Sequence, residues 1–301
     1  MPAAPSRRPG ALPALALIGN ALVWGTAWWP FRHLQAAGLH PLWATALVFI
    51  VASTVILALR PRALRQLATT PALWVLVVAA GVTNASFNWA VVIGDVVRVV
   101  LLFYLMPVWT VLLARALLGE RLTTAALLRI GLGVVGAAIV LWPPAGSGVA
   151  LPLPRSLADW LGVVGGFSFA LNNVMLRREA GRPEEGRALA MFVGGAIVAA
   201  GVATALSLRG ATAWPPQPSL AWVPLAALLS LLFLAGNLAL QYGAARLPAN
   251  RTAVIMLTEV VFASASALAL GGGTLTPRLA LGGGLIVAAA LLAALEAPPS
   301  P

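Results

Sequence analysis

The chain of 301 residues contains no cysteine, and all nineteen of its basic residues are arginine, none lysine. Without cysteine there can be no disulfide and no thiolate metal site. Without lysine the glycine runs Gly271–Gly273 and Gly282–Gly284 cannot belong to a phosphate-binding loop, so no ATP motor is encoded. His33 and His40 are the only histidines and fall on a short connector with no further ligands at metal spacing, so neither a metal nor any other cofactor is expected. Charge is also scarce. Asp, Glu and Arg together make up 9% of the chain, eight of them acidic. A soluble surface carries roughly 25–35% charged residues, which excludes a soluble fold of this length.

What is present instead is hydrocarbon. Residues 12–296 return again and again to apolar runs of about twenty residues, the length a helix needs to cross roughly 30 Å of bilayer. Mean hydropathy is +0.94. The runs are apolar nearly all round, unlike the one-sided stripe of a soluble helix. The pattern predicts an all-α polytopic membrane protein with spans at 12–30, 40–59, 72–93, 97–117, 124–142, 157–176, 188–208, 219–243, 250–270 and 278–296. Arginine then sets the orientation. With an even number of spans both termini share a side, and fourteen arginines fall on it: residues 7, 8, 60, 62, 65, 115, 121, 129, 177, 178, 182, 187, 246 and 251. The other side holds five, Arg32, Arg98, Arg155, Arg209 and Arg278. The positive-inside bias therefore places both termini in the cytoplasm, in the inner (plasma) membrane of a cell. Arg7 and Arg8 before the first run resemble the start of a signal peptide. No convincing small-residue cleavage site follows, so that run is expected to stay as a helix. The net charge of +11 does not indicate a nucleic-acid partner, because the arginines are scattered over helix ends where topology and anionic lipid account for them.

Shifting the sequence by 153 residues lines up the third quarter of each half without a gap. Arg98 falls on Arg251, Val108 on Val261, Gly119 on Gly272, Leu122 on Leu275, Thr123 on Thr276 and Gly131 on Gly284. A weaker match at an offset of 145 pairs Arg32 with Arg177. Five spans per repeat is an odd number, so the second unit (157–296) must enter the membrane inverted relative to the first (12–142). Inverted repeats mark alternating-access transporters, whose substrate site lies near the midplane between the copies.

The segments Phe103-Tyr-Leu-Met-Pro-Val-Trp-Thr110 and Leu117-Leu-Gly-Glu-Arg-Leu-Thr123 resemble the repeat of the drug/metabolite transporter superfamily, EamA type. Leu22-Val-Trp-Gly25 and the second copy from Tyr242 to Glu259 resemble it too. The resemblance implies ten helices in a five-plus-five inverted arrangement. Tyr104-Leu-Met-Pro107 and the sixth span most resemble the bacterial aromatic amino acid exporters. Two departures stand out. Where family second halves read Leu-Glu-Pro, this chain has Thr258-Glu259-Val260, so a proline kink beside Glu259 is not expected. Gly119-Glu120 becomes Gly272-Gly273, so the halves should not close by identical ion pairs.

Glu259 is the one acid well inside a span, about 12 Å along the helix from Arg251. A charge there costs roughly 2.5–3.5 kcal/mol on insertion scales, so it should face the bundle interior. It would serve as a contact for a substrate ammonium group or as a protonation site; the alternative is a protonated packing bond to a neighbouring helix. Asn20, Trp24 and Trp28 share one helix face, as do Asn84 with Asn88 and Asn237 with Gln241, while Tyr104, Phe169 and Asn172 add to the same presumed cavity. Amide stripes facing lipid are unfavourable, so they should turn inward, as substrate contacts or as interhelical bonds. Arg98 and Arg251 sit at equivalent ends of the two repeats and are candidate gates. Trp142, Trp160 and Trp222 read as interfacial anchors. The glycines of spans five and ten could pack the two halves together or make a homodimer. The expected function is secondary export of amino acids, aromatic ones favoured, with lipid and a small solute as partners. The alternatives are export of another metabolite or a cationic drug, drawn by Glu259, and a non-transporting scaffold or receptor, which would need a solid apolar interior. No enzyme constellation is present.

Overall fold

The computed structural model describes residues 11–120, 122–143, 151–244, 246–247 and 249–295. Every regular element among them is helical. In chain order these are α1 (Leu12–Thr26), α2 (Trp28–Ala36), α3 (Pro41–Leu59), α4 (Arg62–Thr69), α5 (Pro71–Ile93), α6 (Val96–Phe103) and α7 (Met106–Leu118). The remainder are α8 (Thr124–Leu141), α9 (Leu157–Arg178), α10 (Glu184–Leu208), α11 (Val223–Ala244), α12 (Ala249–Met256), α13 (Thr258–Ala269) and α14 (Pro277–Leu295).

Eight segments among the described residues are long and apolar enough to cross a bilayer, with α1/α2 and α6/α7 each counting as one. The chain is a multi-pass membrane protein. Two helices fall outside those eight for different reasons. α9 has the length but carries Asp159, Asn172, Asn173, Arg177 and Arg178, which dilute its hydropathy. The apolar stretch 250–270 is divided into α12 and α13.

The interior is built around α5, which packs on α3, α9 and α10, while α6 and α7 lie against α9 and α1 against α11 and α13. The segments containing α5 and α6/α7 are the most enclosed of the eight, and α11 is the most open to the outside. Glycine sets several of the closest approaches. A Cβ on Gly136 would sit 2.6 Å from the carbonyl oxygen of Gly282, and a Cβ on Gly282 equally close to that of Gly136. These two glycines therefore bring α8 and α14 into backbone contact within one chain. Gly131 and Gly284, by contrast, meet nothing. Short α4 is the amphipathic exception. It buries Ala63 and Leu67 and leaves Arg62 and Arg65 exposed, as an interfacial helix does.

Three membrane segments are broken. Pro30 has no N–H to offer the carbonyl of Thr26, and the helix divides at Ala27, whose N–H reaches Trp24 O instead. The first segment also runs on to Ala36, past the expected end at residue 30, so His33 lies in a helix rather than on a connector. Pro107 likewise frees the carbonyl of Phe103, and Tyr104–Leu105 separate α6 from α7. The third break, at Leu257, has no proline. There the Thr258 hydroxyl donates to Ile255 O at 2.7 Å, and Leu257 N and Val260 N bond three residues back rather than four. A break beside Glu259 was not expected from the missing proline; the threonine hydroxyl takes over that role.

The 153-residue register extends to the helix bounds. Residues 96–103 of α6 shift onto 249–256, which is α12. Thr123 caps α8 by accepting from Ala126 N (3.0 Å), and Thr276 caps α14 by accepting from Leu279 N (3.2 Å). The glycine match is less faithful. Gly119 ends α7 at φ +72°, but in this register α13 ends two residues earlier, and it is Gly271, not Gly272, that takes the left-handed turn at φ +69°.

Candidate functional site

The breaks in α6/α7 and α12/α13 face one another, and the two polar side chains beside them meet. Tyr104 and Glu259 come together, hydroxyl facing carboxyl. Tyr104 is 3% exposed, while Glu259, deep in the bundle, keeps part of its surface accessible and so borders a space rather than a filled wall. Glycine allows the neighbouring helices to close in. A Cβ on Gly25 of α1 would lie 2.8 Å from the carbonyl oxygen of Glu259, and Gly166 of α9 lies directly on the Phe103 carbonyl that Pro107 releases. The Tyr104 hydroxyl has its aromatic surroundings in Phe103 (centroids 6.2 Å apart), which in turn meets Phe87 at 4.7 Å and Phe169 at 5.4 Å. Phe169 thus reaches the Tyr104 region through Phe103.

The other expected contacts separate into distinct settings. Asn20, 1% exposed, donates to Met256 Sδ at 3.6 Å, one turn before Glu259, and its Oδ1 has no protein partner. Trp24 stacks on Phe233 at 4.4 Å, in a second aromatic group with Phe31 and Phe49. Asn172, 2% exposed, also has an Oδ1 without a partner. Asn237 is half-buried on α11, and the side chain of Gln241 lies outside the described residues. Asn84 turns back on its own helix, donating to Ala80 O at 2.8 Å. Asn88 is bonded to Thr45 Oγ1 at 3.1 Å, both fully buried, and therefore ties α5 to α3 rather than facing a cavity. Trp142 and Trp160 are exposed at helix ends as expected, but Trp222 is buried and donates to Gln217 O, a core residue rather than an anchor.

Arg98 has a built partner set at one end of the bundle. Its guanidinium holds Asp159 through two bonds (2.7 and 3.0 Å) and donates to Val140 O at 2.6 Å, joining α6, α8 and α9. Asp95 caps α6 through Arg98 N and accepts from Thr274 N at 2.7 Å, so the loop after α13 is attached there too. Arg32 completes the cluster. It donates to Val91 O, Gly94 O and Gly272 O, and its guanidinium lies 4.9 Å from the centroid of the Trp28 ring. Trp28 Nε1 donates to Ser266 Oγ on α13 (2.9 Å), and its ring fills the space over Gly272. Asp95, Asp159 and Ser266 were not singled out from the sequence, and Arg32 was noted only as a repeat match, not as a site residue. The available signal was positional: both aspartates open helices, and Asp159 follows the capping Ser156 by three residues. Arg251 is exposed at the equivalent place in the second half. The opposite end carries a more exposed pair, Glu120 with Arg177 at 2.6 Å, Glu120 half-buried and Arg177 open to solvent.

These features define a polytopic helical membrane protein with a buried acid at facing helix breaks. Residues 11–142 match the EamA-like transporter family, of the drug/metabolite transporter superfamily, a family of transporters rather than enzymes. Fourteen solved chains match the fold, among them one titled "Crystal structure of protein". It is 21% identical, covers 93% of this chain and 96% of its own, and superposes with a TM-score of 0.57. No curated protein matches.

Proposed function

We propose that the chain is a secondary transporter with ten membrane crossings in a five-plus-five inverted arrangement, moving amino acids, aromatic ones preferred, out of the cell by alternating access. In this reading α9 and the broken α12/α13 supply the two crossings beyond the eight apolar segments. The observation that carries it is the Tyr104–Glu259 pair. A carboxyl group is costly to keep inside a membrane segment, and here it is held beside two interrupted helices that leave backbone carbonyls without helical partners. A carboxylate can receive the ammonium group of a small zwitterion, while the rings of Phe103, Phe87 and Phe169 offer a surface for a flat side chain. Asn20 and Asn172 bring unmatched amide oxygens from α1 and α9.

The Arg98–Asp159 cluster then serves as the outer door, with Arg251 at the inner door of the same pathway. Neither door is described by the same chemistry. The positions equivalent to Asp159 and Asp95 in the other half are Ala14 and Pro248. Both termini are placed in the cytoplasm of the inner membrane, with lipid as the surrounding partner. The contact between Gly136 and Gly282 supports the use of these helices within one chain rather than between two.

The test is counterflow in proteoliposomes with labelled phenylalanine, leucine and a lipophilic organic cation. Exchange of phenylalanine ahead of leucine, with no exchange of the cation, is expected. Exchange of the cation alone would replace the amino acid reading with the drug one.

A further inference from the structure

A cleft of about 750 Å³ opens at the Arg98 end, between the start of α9, the end of α8 and the start of α14. That volume lies within the usual range for small-ligand sites. Two aspartates and three arginines line it. The aspartates are fully engaged: both oxygens of Asp159 accept from Arg98, with Arg155 N also on one of them, and those of Asp95 accept from Arg98 N and Thr274. The Arg98 guanidinium is directed inward to Asp159 and Val140. Positive charge is left over on the other two. Arg155 and Arg278 are both exposed on the cleft, and among the described residues the side-chain bond of Arg278 is to a carbonyl, Pro143 O, which cancels no charge. The long helices α9 and α14 also begin here, capped by Ser156 and Thr276, and their positive ends add to the field over the same space.

We propose that this cleft binds an oxyanion, a carboxylate or phosphate group, between the guanidinium groups of Arg155 and Arg278. Guanidinium pairs suit such groups because each offers parallel N–H donors to two oxygens. The positive charge here also lies on the side that the arginine bias leaves poor, so topology does not account for it. The source is either a phospholipid headgroup or a free anion, and the site does not depend on which solute the central pathway moves.

The test uses the full chain purified in a neutral detergent, wild type against the double variant Arg155→Gln/Arg278→Gln, with Arg209→Gln as an exposed control elsewhere. Thermal unfolding is followed against inorganic phosphate and acetate, and co-purified phosphatidylglycerol is counted by native mass spectrometry. Expected are stabilisation of the wild type and the control by the anions, with the half-effect concentration raised at least about tenfold in the double variant, or one phosphatidylglycerol retained by the wild type and lost by the double variant. The first outcome assigns a free anion and the second a headgroup. Equal responses of wild type and double variant in both measurements would overturn the proposal.

Discussion

The hydroxyl of Tyr104 faces the carboxyl of Glu259 across two broken helices, one from each half of the chain. The residues that align with them in the 153-residue register are Leu257 and Met106, so neither half holds both groups. The donor lies in one half and the acceptor in the other. The pair is polar chemistry that only the assembled bundle creates.

Removing the Tyr104 ring should therefore separate substrates. Tyr104→Ala is expected to raise the half-saturation concentration for phenylalanine roughly two- to tenfold, since ring contacts add about 0.5–1.5 kcal/mol beyond area burial. Leucine should be affected less, and Tyr104→Phe should keep the preference. Equal losses for phenylalanine and leucine in transport assays would argue against an aromatic-selective site.

Arg98→Gln removes the two bonds to Asp159 and the one to Val140 O. With the Arg98 end loosened, a single cysteine introduced at Leu257 of this cysteine-free chain should react faster with an impermeant thiol reagent applied from outside. Arg251→Gln should instead favour reaction from the inside. Unchanged labelling from both sides in both variants would leave the arginines as helix-end anchors.

Asn88 gives a contrasting expectation. Its amide is satisfied by Thr45, so Asn88→Ala should lower thermal stability by about 0.5–2 kcal/mol while leaving the half-saturation concentration of the remaining folded protein unchanged. A selective loss of substrate affinity would return Asn88 to the site.

Gly136→Leu should likewise act through folding. The new side chain would meet the α14 backbone at Gly282, which must move away at a cost of about 1–3 kcal/mol. Oligomeric state, measured by light scattering in detergent, should not change. A shift in oligomeric state at unaltered stability would show that these glycines serve an interface between chains.

Much of the fold was legible because its signals are local. Twenty-residue apolar runs mark helices turn by turn, and the membrane segments begin and end close to where the runs do; the break before Pro107 within the span expected at 97–117, and the caps at Thr123 and Thr276, were not read from the sequence. Glu259 and Tyr104 were legible as candidates because an acid in hydrocarbon and a rare tyrosine are conspicuous. Their meeting was not, since it depends on two breaks coming together. The break at Leu257 was hidden because a threonine hydroxyl took the place of the expected proline. Arg98 was visible but Asp159 was not, as a helix-opening aspartate looks like an ordinary cap until the tertiary fold brings an arginine to it. Asn88 shows the converse. A pattern that places amides on one stripe cannot tell a cavity wall from a neighbouring helix.

The most direct measurement is counterflow of labelled phenylalanine by Glu259→Gln in proteoliposomes, across roughly pH 5 to 8. Glutamine keeps the shape beside Tyr104 but removes the charge and the titratable proton. The account predicts a folded, reconstituted protein, purified in wild-type yield, whose exchange falls to a small fraction of the wild-type rate at every pH. Exchange at the wild-type rate throughout would contradict it, because neither an ammonium contact nor a protonation step could then reside at Glu259.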